Sequence, residues 1–509
     1  MMQPRDFSLD TLLRANAAQY AIREASVDGK QRLTYAELDR RVTNLAQWLI
    51  AKGVGPGDRV AILLTDGAPY LTTLLACGRI GAIAVLLNWR LAPGELAWIC
   101  GNSEPALTFV NPRFADLLAE AKAGEVIEVD EDHDPQGTFE SIATRDQPEQ
   151  VIPALAPERP LYMMYTSGTT GKPKGCLQAG SAVASSAMGF AIRRGFTKNE
   201  RLLSINPLFH VVGMQQIAAM LACGGCSVFA GRDDDPAAVL DLVHREGCTT
   251  TSAFPQISFQ WFGMDAVRDG TMPLTNYTGG AGMGQPQMYE TFEKAWDCRV
   301  VGGYGQTEIC GFATFIDYPD MLEHPRSIGW AMPHVEMTIL DPDGNQLPAG
   351  EEGEICLRGP SVMLGYWRND EATKTALGHG WLRTGDLGKL DELGLGYLLG
   401  RAKELIKTGG ENVYPAEVDA VFTAMPEVAD AGCAGVPDKK WGEAVKAFVV
   451  LAPGAELSRE EITVRFKGQI AGYKRPRYIE FVDQLPRDPL GKLQRLELSQ
   501  RPVTPDQAA

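Results

Sequence analysis

The stretch Tyr165-Thr166-Ser167-Gly168-Thr169-Thr170-Gly171-Lys172-Pro173-Lys174-Gly175 concentrates hydroxyls, glycines and two lysines. Side-chain O–H and backbone N–H groups from such a loop can converge on an anion, and the lysines supply the opposite charge, so its chemistry is a wrap around a polyphosphate. It is not a Walker loop. Two residues separate Gly168 from Gly171, where that motif needs four, and Pro173 prevents a regular helix from starting straight after Gly171. A flexible Ser/Thr/Gly linker has no need of the lysines, nor of the apolar strand LYMMY before them.

The surrounding pattern predicts the elements that hold this loop. Thr34 and Glu37 have capping-box spacing, and Leu38, Val42, Leu45 and Leu49 form one helical stripe that ends at Gly53. Residues 59–64 (RVAILL) read as a buried strand. Helix then strand recurs over 70–87, and βα-type passages run over 202–229 and 237–254. Such alternation implies largely parallel sheets covered by helices. After about Val335 the texture turns β-rich, with MTILDPDGNQL, GEICLRG and GYLLGR separated by tight turns. Helices are expected over 415–424 and 459–470, and the final PVTPDQAA should fray. The expected fold class is α/β: a large N-terminal domain of parallel-rich sheets flanked by helices with a β-rich subdomain (1–402), then a small mobile α+β domain (403–509).

Composition narrows the function classes. In 509 residues, 64 acidic side chains face 48 basic ones, a net charge of −16, which disfavours broad binding to nucleic acid or an anionic membrane. The 54 glycines exceed the ~36 of average usage, which points to tight turns and backbone-lined sites. The apolar run 71–87 is broken by Gly78, Arg79 and Gly81, so no membrane span is expected. The start MMQPRDFSLD has no apolar core of a secretory signal, and a cytoplasmic location is the expectation. Ten cysteines in so long a chain do not make a disulfide framework; Cys223 and Cys226 read as small buried hydrophobes at a helix-to-strand turn.

The string YTSGTTGKPKG resembles the signature of the adenylate-forming superfamily: acyl- and aryl-CoA ligases, luciferases and peptide-synthetase adenylation domains. The resemblance extends over nearly the whole chain through NPLFHVVGM, Gly279-Gly280, YGQTE, WLRTGDLG, GRAKELIKTGGENVYP and PRDPLGK, in the family's order. The segments HPRSIGWAMP and YKRPRYIEF are similar to those of carnitine- and medium-chain-acyl-CoA ligases.

That resemblance implies roles. Thr166, Ser167, Gly168, Thr169, Thr170, Gly171, Lys172 and Lys174 would cradle the phosphates of ATP. Tyr304 would lie against the adenine, Thr307 would bond the α-phosphate, and Glu308 would hold Mg²⁺. Gly280 and Ala281 would pass flat over the adenine and acyl group, since small residues permit close approach. Asp386 would accept both ribose hydroxyls, with Arg401 adding a donor. Lys492 would be the catalytic lysine, offsetting the repulsion between a carboxylate and the α-phosphate. Lys403 would be the hinge, lysine standing there as in plant-type aryl-CoA ligases. Gly409 and Gly410 would line the thiol tunnel, while Lys474 and Arg475 would face the phosphates of CoA.

His210 stands where amino-acid-activating relatives carry an aspartate for the substrate ammonium; without that countercharge an α-amino acid should be rejected. Gly279, Gly303, Val211, Met214, Phe254, Ile257 and Ile309 suggest an apolar acyl pocket. The expected activity is ATP-dependent ligation of a small carboxylic acid to CoA through an acyl-AMP, releasing AMP and pyrophosphate, in a monomer or homodimer. The alternatives are an amide synthetase that hands the adenylate to an amine, and a non-catalytic adenylate-binding protein. The joint presence of Glu308, Asp386, Arg401 and Lys492 speaks against the second.

Overall fold

The computed structural model describes residues 7–152, 155–156, 158–166, 172–231, 235–252, 273–281, 289–487, 493–504 and 507. It divides into two compact units, Met1–Met337 with Leu357–Leu382 and Thr338–Cys356 with Arg383–Ala509. The chain is mixed α/β, as the alternation predicted.

In the first unit the capping box forms as spaced. Glu37 N–H donates to Thr34 Oγ1 (3.3 Å) and Thr34 N–H to Glu37 Oε2 (2.8 Å), starting the helix Tyr35–Ala51. Its stripe Leu38, Val42, Leu45 and Leu49 is wholly buried. The strand Arg59–Leu63, the helix Ala68–Ile80 and the strand Ile83–Leu86 follow in the expected order. Arg79, the charge inside that apolar run, is buried yet satisfied: it bonds Asp10 (2.7 Å), Asp39 (2.6 Å) and Thr43 (2.6 Å). A buried arginine shared by the helices Leu9–Gln19, Tyr35–Ala51 and Ala68–Ile80 fixes their mutual register, because moving any of them strands a charge.

Two sheets carry the site residues. One runs Gly365–Tyr366, Lys174–Ala179, Pro160–Thr166, Ile83–Leu86, Arg59–Leu63, Leu107–Val110, Glu125–Glu128. It is parallel apart from its first two pairings, which are antiparallel. In the other, the strands Arg299–Gln306, Asn276–Gly280, Thr250–Ser252, Arg201–Ser204, Cys226–Phe229 and Glu24–Asp28 are parallel neighbours in that order. The strand Gly311–Asp317 returns antiparallel beside Arg299–Gln306.

In the second unit the strands Gly353–Arg358, Leu382–Leu390 and Gly396–Arg401 neighbour one another in that order. A separate sheet pairs Val428–Asp438 with Gly442–Leu451, and Tyr478–Phe481 joins the latter in parallel. Its core packs Val418 and Phe422 of the helix Pro415–Thr423 against Ile462 and Phe466 of the helix Arg459–Phe466. The second helix stops four residues short of the expected 470, because Lys467 is extended and Gly468 takes φ +86°. Of the tail expected to fray, residues 502–504 and 507 are described, and Pro502 and Gln507 are held. Lys446, fully buried, pairs with Glu480 (2.7 Å) and donates to the Pro502 carbonyl (2.7 Å), and Gln507 bonds Glu480 (3.1 Å). A buried ammonium needs several acceptors, and the tail supplies one.

All ten cysteines are free. Cys223 ends the helix Val211–Cys223 half-buried, and Cys226 opens the strand Cys226–Phe229 buried. Burial pushes their thiols up to about 11 and about 12. No helix among the described residues is long and apolar enough to cross a membrane.

Candidate active site

The strand Pro160–Thr166 carries Tyr165 and Thr166, the first residues of the expected phosphate loop, and Tyr165 is fixed by donating to Asn102 Oδ1 (2.6 Å). Ser167, Gly168, Thr169, Thr170 and Gly171 lie outside the described residues. Lys172 is exposed, and Lys174 opens the returning strand, paired with Thr166. Lys174 Nζ sits over the Tyr366 ring, 5.0 Å from its centroid. The Tyr366 hydroxyl in turn donates to Glu308 Oε1 (2.7 Å). Loop lysine, phenol and carboxylate thus stand in one line, although 174, 308 and 366 are far apart in the chain. Tyr366 carries no sequence signal that marks it; only the pairing of Gly365–Tyr366 with Lys174–Ala179 brings it there.

Glu308 and Thr307 ride on the single turn Thr307–Ile309 at the end of the strand Arg299–Gln306, where Tyr304 is buried. Glycines are demanded by close approach. A Cβ on Gly305 would lie 1.9 Å from the Gly311 carbonyl oxygen, and one on Gly303 would lie 2.5 Å from the Phe312 ring. Gly279 and Gly280 run beside Gly302 and Gly303, and Ala281 N–H donates to the Gly303 carbonyl (2.9 Å). The chemistry of this donor set fits Mg²⁺, a hard cation that takes one or two protein carboxylates and completes its shell on phosphate oxygens. Glu308, half-buried and oriented by a phenol, is such a carboxylate.

His210 is the N-cap of the helix Val211–Cys223, its Nδ1 accepting from Val212 N–H (3.3 Å). Val211, Met214 and Ile309 are buried, while Phe254 and Ile257 lie outside the described residues. Phe209 meets Trp89 edge-to-face (5.9 Å), and the Arg90 guanidinium stacks over Trp89 (4.5 Å).

In the second unit Asp386 and Arg401 are cross-strand partners, Oδ1 to Nε at 2.6 Å, with Asp386 buried. Lys403 is exposed in the turn Ala402–Glu404. Gly409 and Gly410, at φ +61° and +87°, turn the chain from Ile406–Thr408 into Glu411–Val413. Lys474 is bonded to Glu417 Oε2 (2.6 Å), and Arg475 Nε is buried without a partner. Lys492 lies outside the described residues; on either side of its segment Arg487 and Leu493 form an antiparallel bridge.

Comparison with known proteins places this geometry. The AMP-binding enzyme family matches residues 13–367, and the AMP-binding enzyme C-terminal domain matches 417–492. An indoleacetate–CoA ligase of Aromatoleum aromaticum is 35% identical, over 92% of this chain and 93% of its own. A feruloyl-CoA synthase of an Amycolatopsis species is 34% identical, over 93% and 94%. The solved o-succinylbenzoate CoA synthetase of Bacillus subtilis, in complex with its acyl-adenylate intermediate, superposes with TM-score 0.85 at 31% identity over 96% of this chain and 98% of that one. The same enzyme has been solved with ATP and a magnesium ion. With both parts matched and relatives alike over almost their whole length, this chain belongs to the AMP-binding enzymes and is an AMP-forming acid–thiol ligase that uses ATP, Mg²⁺ and CoA.

Proposed function

We propose that this ligase activates an apolar, ring-bearing carboxylic acid and transfers it to CoA. The observation that carries the reading is the line Lys174–Tyr366–Glu308, which joins the phosphate loop to the carboxylate of the YGQTE motif. In the first half-reaction an acid oxygen attacks the α-phosphorus and the bond to pyrophosphate breaks. Lys172 and Lys174 hold phosphate oxygens, Thr307 donates to the α-phosphate, and Lys492 touches both reactants as charge develops. Glu308 would hold Mg²⁺, which would supply neutralisation of the phosphate charge. Tyr304 lies on the adenine, and Asp386 with Arg401 serves the ribose. In the second half-reaction the CoA thiolate attacks the acyl carbonyl and AMP leaves. Gly409 and Gly410 let the thiol arm approach, Lys474 and Arg475 attract the phosphates of CoA, and Lys403 is the pivot between residues 1–402 and 403–509.

The acid class rests on three supports. Val211, Met214 and Ile309 are apolar and buried. His210, at the mouth of the helix Val211–Cys223, offers no carboxylate of its own to an α-ammonium. Relatives of about one-third identity are named for indoleacetate and ferulate. The test is pyrophosphate release with a panel of arylacetates, arylpropenoates, fatty acids and amino acids, each with CoA, with an amine, and with neither. Arylalkanoic or arylpropenoic acids should react fastest and yield a thioester with CoA. Fastest release with an α-amino acid would overturn the acid class. Product formed only with the amine would overturn the acceptor.

A further inference from the structure

Beneath the turn that carries Thr307 and Glu308 lies a closed set of buried polar side chains. Gln178, fully buried on the strand Lys174–Ala179, donates through Nε2 to the Thr307 carbonyl (2.5 Å), while its Oε1 accepts the Cys310 thiol (3.0 Å). One amide therefore grips both ends of the turn. Ser186, on the helix Gly180–Arg194, donates to the Cys310 carbonyl (2.9 Å). Gln215, on the helix Val211–Cys223, accepts Phe312 N–H at Oε1 (3.0 Å). Its Nε2 reaches the Phe312 carbonyl (3.1 Å) and Ser186 Oγ (2.8 Å). Ser186 and Gln215 are also almost wholly buried. Met363 N–H donates to the Glu308 carbonyl (2.9 Å).

The held segment is strained. Cys310, a residue with a side chain, sits at φ +58°, a conformation that persists only where surroundings over-determine it. The clamps also come from informative places. Residues 174, 176 and 178 share one face of their strand, so Gln178 stands in the same row as Lys174. Gln215 follows Met214 on the helix that His210 caps and Val211 opens. The turn is thus tied on one side to the phosphate-loop strand and on the other to the acyl-pocket helix.

We propose that Gln178, Ser186 and Gln215 are positioning residues that hold Thr307 and Glu308 in register for adenylation and couple the acyl-pocket helix to that turn. The inference rests on the reading of Glu308 as the Mg²⁺ carboxylate and of Thr307 as the α-phosphate contact. None of the three touches substrate; each acts through the backbone of the turn. Displacement by even a fraction of an ångström should then appear in the chemical step, where misplacement by about 1 Å costs ~10²-fold.

The test is acid-dependent pyrophosphate release by the full chain, measured against Mg²⁺ concentration and normalised to folded protein. Gln215→Met keeps the volume and removes the amide. It should lower kcat by about 10- to 100-fold and raise the Mg²⁺ concentration for half-activity. Ser186→Ala should do the same to a smaller extent, and Ser186→Thr, which restores the hydroxyl, should recover it; this pair carries the test if Gln215→Met does not fold. A lower melting temperature with unchanged kcat and Mg²⁺ dependence would make the network merely structural and overturn the proposal. Glu308→Gln separates the two levels. If it shifts the Mg²⁺ dependence while Gln215→Met and Ser186→Ala do not, the network falls alone; if it shifts nothing, the reading of Glu308 falls and the network with it.

Discussion

Asp386 and Arg401 face each other directly across antiparallel strands, with Asp386 Oδ1 2.6 Å from Arg401 Nε. The carboxylate is buried and the guanidinium side chain about one-third exposed, so the arginine fixes the carboxylate's orientation. An oriented, ionised carboxylate is what a ribose diol requires as acceptor. Asp386→Asn keeps the shape and removes the charge. Losing charged hydrogen bonds costs ~1.5–3 kcal/mol, so the KM for ATP should rise roughly 10- to 100-fold. Pyrophosphate release against ATP concentration reads this, and an unchanged KM would remove Asp386 from the nucleotide site.

Tyr366→Phe deletes one hydroxyl and leaves the ring beneath Lys174. Glu308 loses the donor that orients it, worth about 1 kcal/mol for a partly exposed pair. The Mg²⁺ concentration for half-activity should rise ~5-fold with little change in melting temperature. Equal Mg²⁺ titrations for both proteins would mean that Glu308 is oriented by something else.

Gly305→Ala tests why the YGQTE motif carries glycine after Tyr304. The added methyl would stand 1.9 Å from the Gly311 carbonyl oxygen, a backbone atom that cannot swing aside. The strands Arg299–Gln306 and Gly311–Asp317 would have to separate at the site of their register shift. Adenylation should fall by about 10²-fold or more, with the melting temperature lowered as well. A variant as active as the parent would show that this close pairing is not used.

The legible parts of the molecule were those written locally. Caps and stripes such as Thr34/Glu37 and the run to Leu49 depend on residues within a turn or two of one another, and they fold as spaced. The motifs likewise mark Thr307, Glu308 and Asp386 as candidates one segment at a time. Tyr366, Gln178 and Gln215 escape such reading because each acquires its meaning from a residue tens to hundreds of positions away. An isolated buried glutamine looks like any surface glutamine in sequence. The overlong helix after Arg459 and the held Pro502 and Gln507 escape that reading for the same reason. A left-handed Gly468 and a buried Lys446 are decided by packing rather than by local pattern.

His133 gives the fold a pH dependence of known sign. Burial acts against its charge, but the hydrogen bond to Asp28 (3.1 Å) and the fields of Asp28 and Glu140 prevail over burial and over Arg41, raising its pKa above the ordinary value. A group whose folded pKa is raised contributes stability below its unfolded pKa, near 6.5, and loses that contribution as pH climbs through the folded value. The contribution should therefore be complete well below pH 6.5 and disappear as pH rises through the raised, folded value. Melting temperatures of the parent and of His133→Gln, compared across that range, should differ most at the acidic end and converge at the alkaline end. A constant difference would assign His133 a packing role only.

The last prediction concerns the CoA side, where Lys474 is already committed to Glu417 at 2.6 Å. For its ammonium to serve a phosphate of CoA it must be released from, or shared with, that carboxylate, so Glu417 competes with the ligand. Glu417 also caps the helix Pro415–Thr423, accepting Tyr414 N–H at Oε1 (3.1 Å). Glu417→Gln retains an oxygen for the cap and removes only the competing charge. The KM for CoA should fall by ~3-fold or more, since a half-buried ion pair of ~0.5–1 kcal/mol is no longer broken on binding. The gain should shrink at high salt, because exposed charges are screened within ~10 Å at 0.1 M. Lys474→Ala should move the KM for CoA in the opposite direction, and the double variant should resemble it, because without the lysine the glutamate has nothing to withhold. The KM for ATP should stay put in all three proteins. If Glu417→Gln raises the KM for CoA, or leaves it unchanged while Lys474→Ala raises it, then Glu417 is not a competitor for Lys474 but a part of its placement.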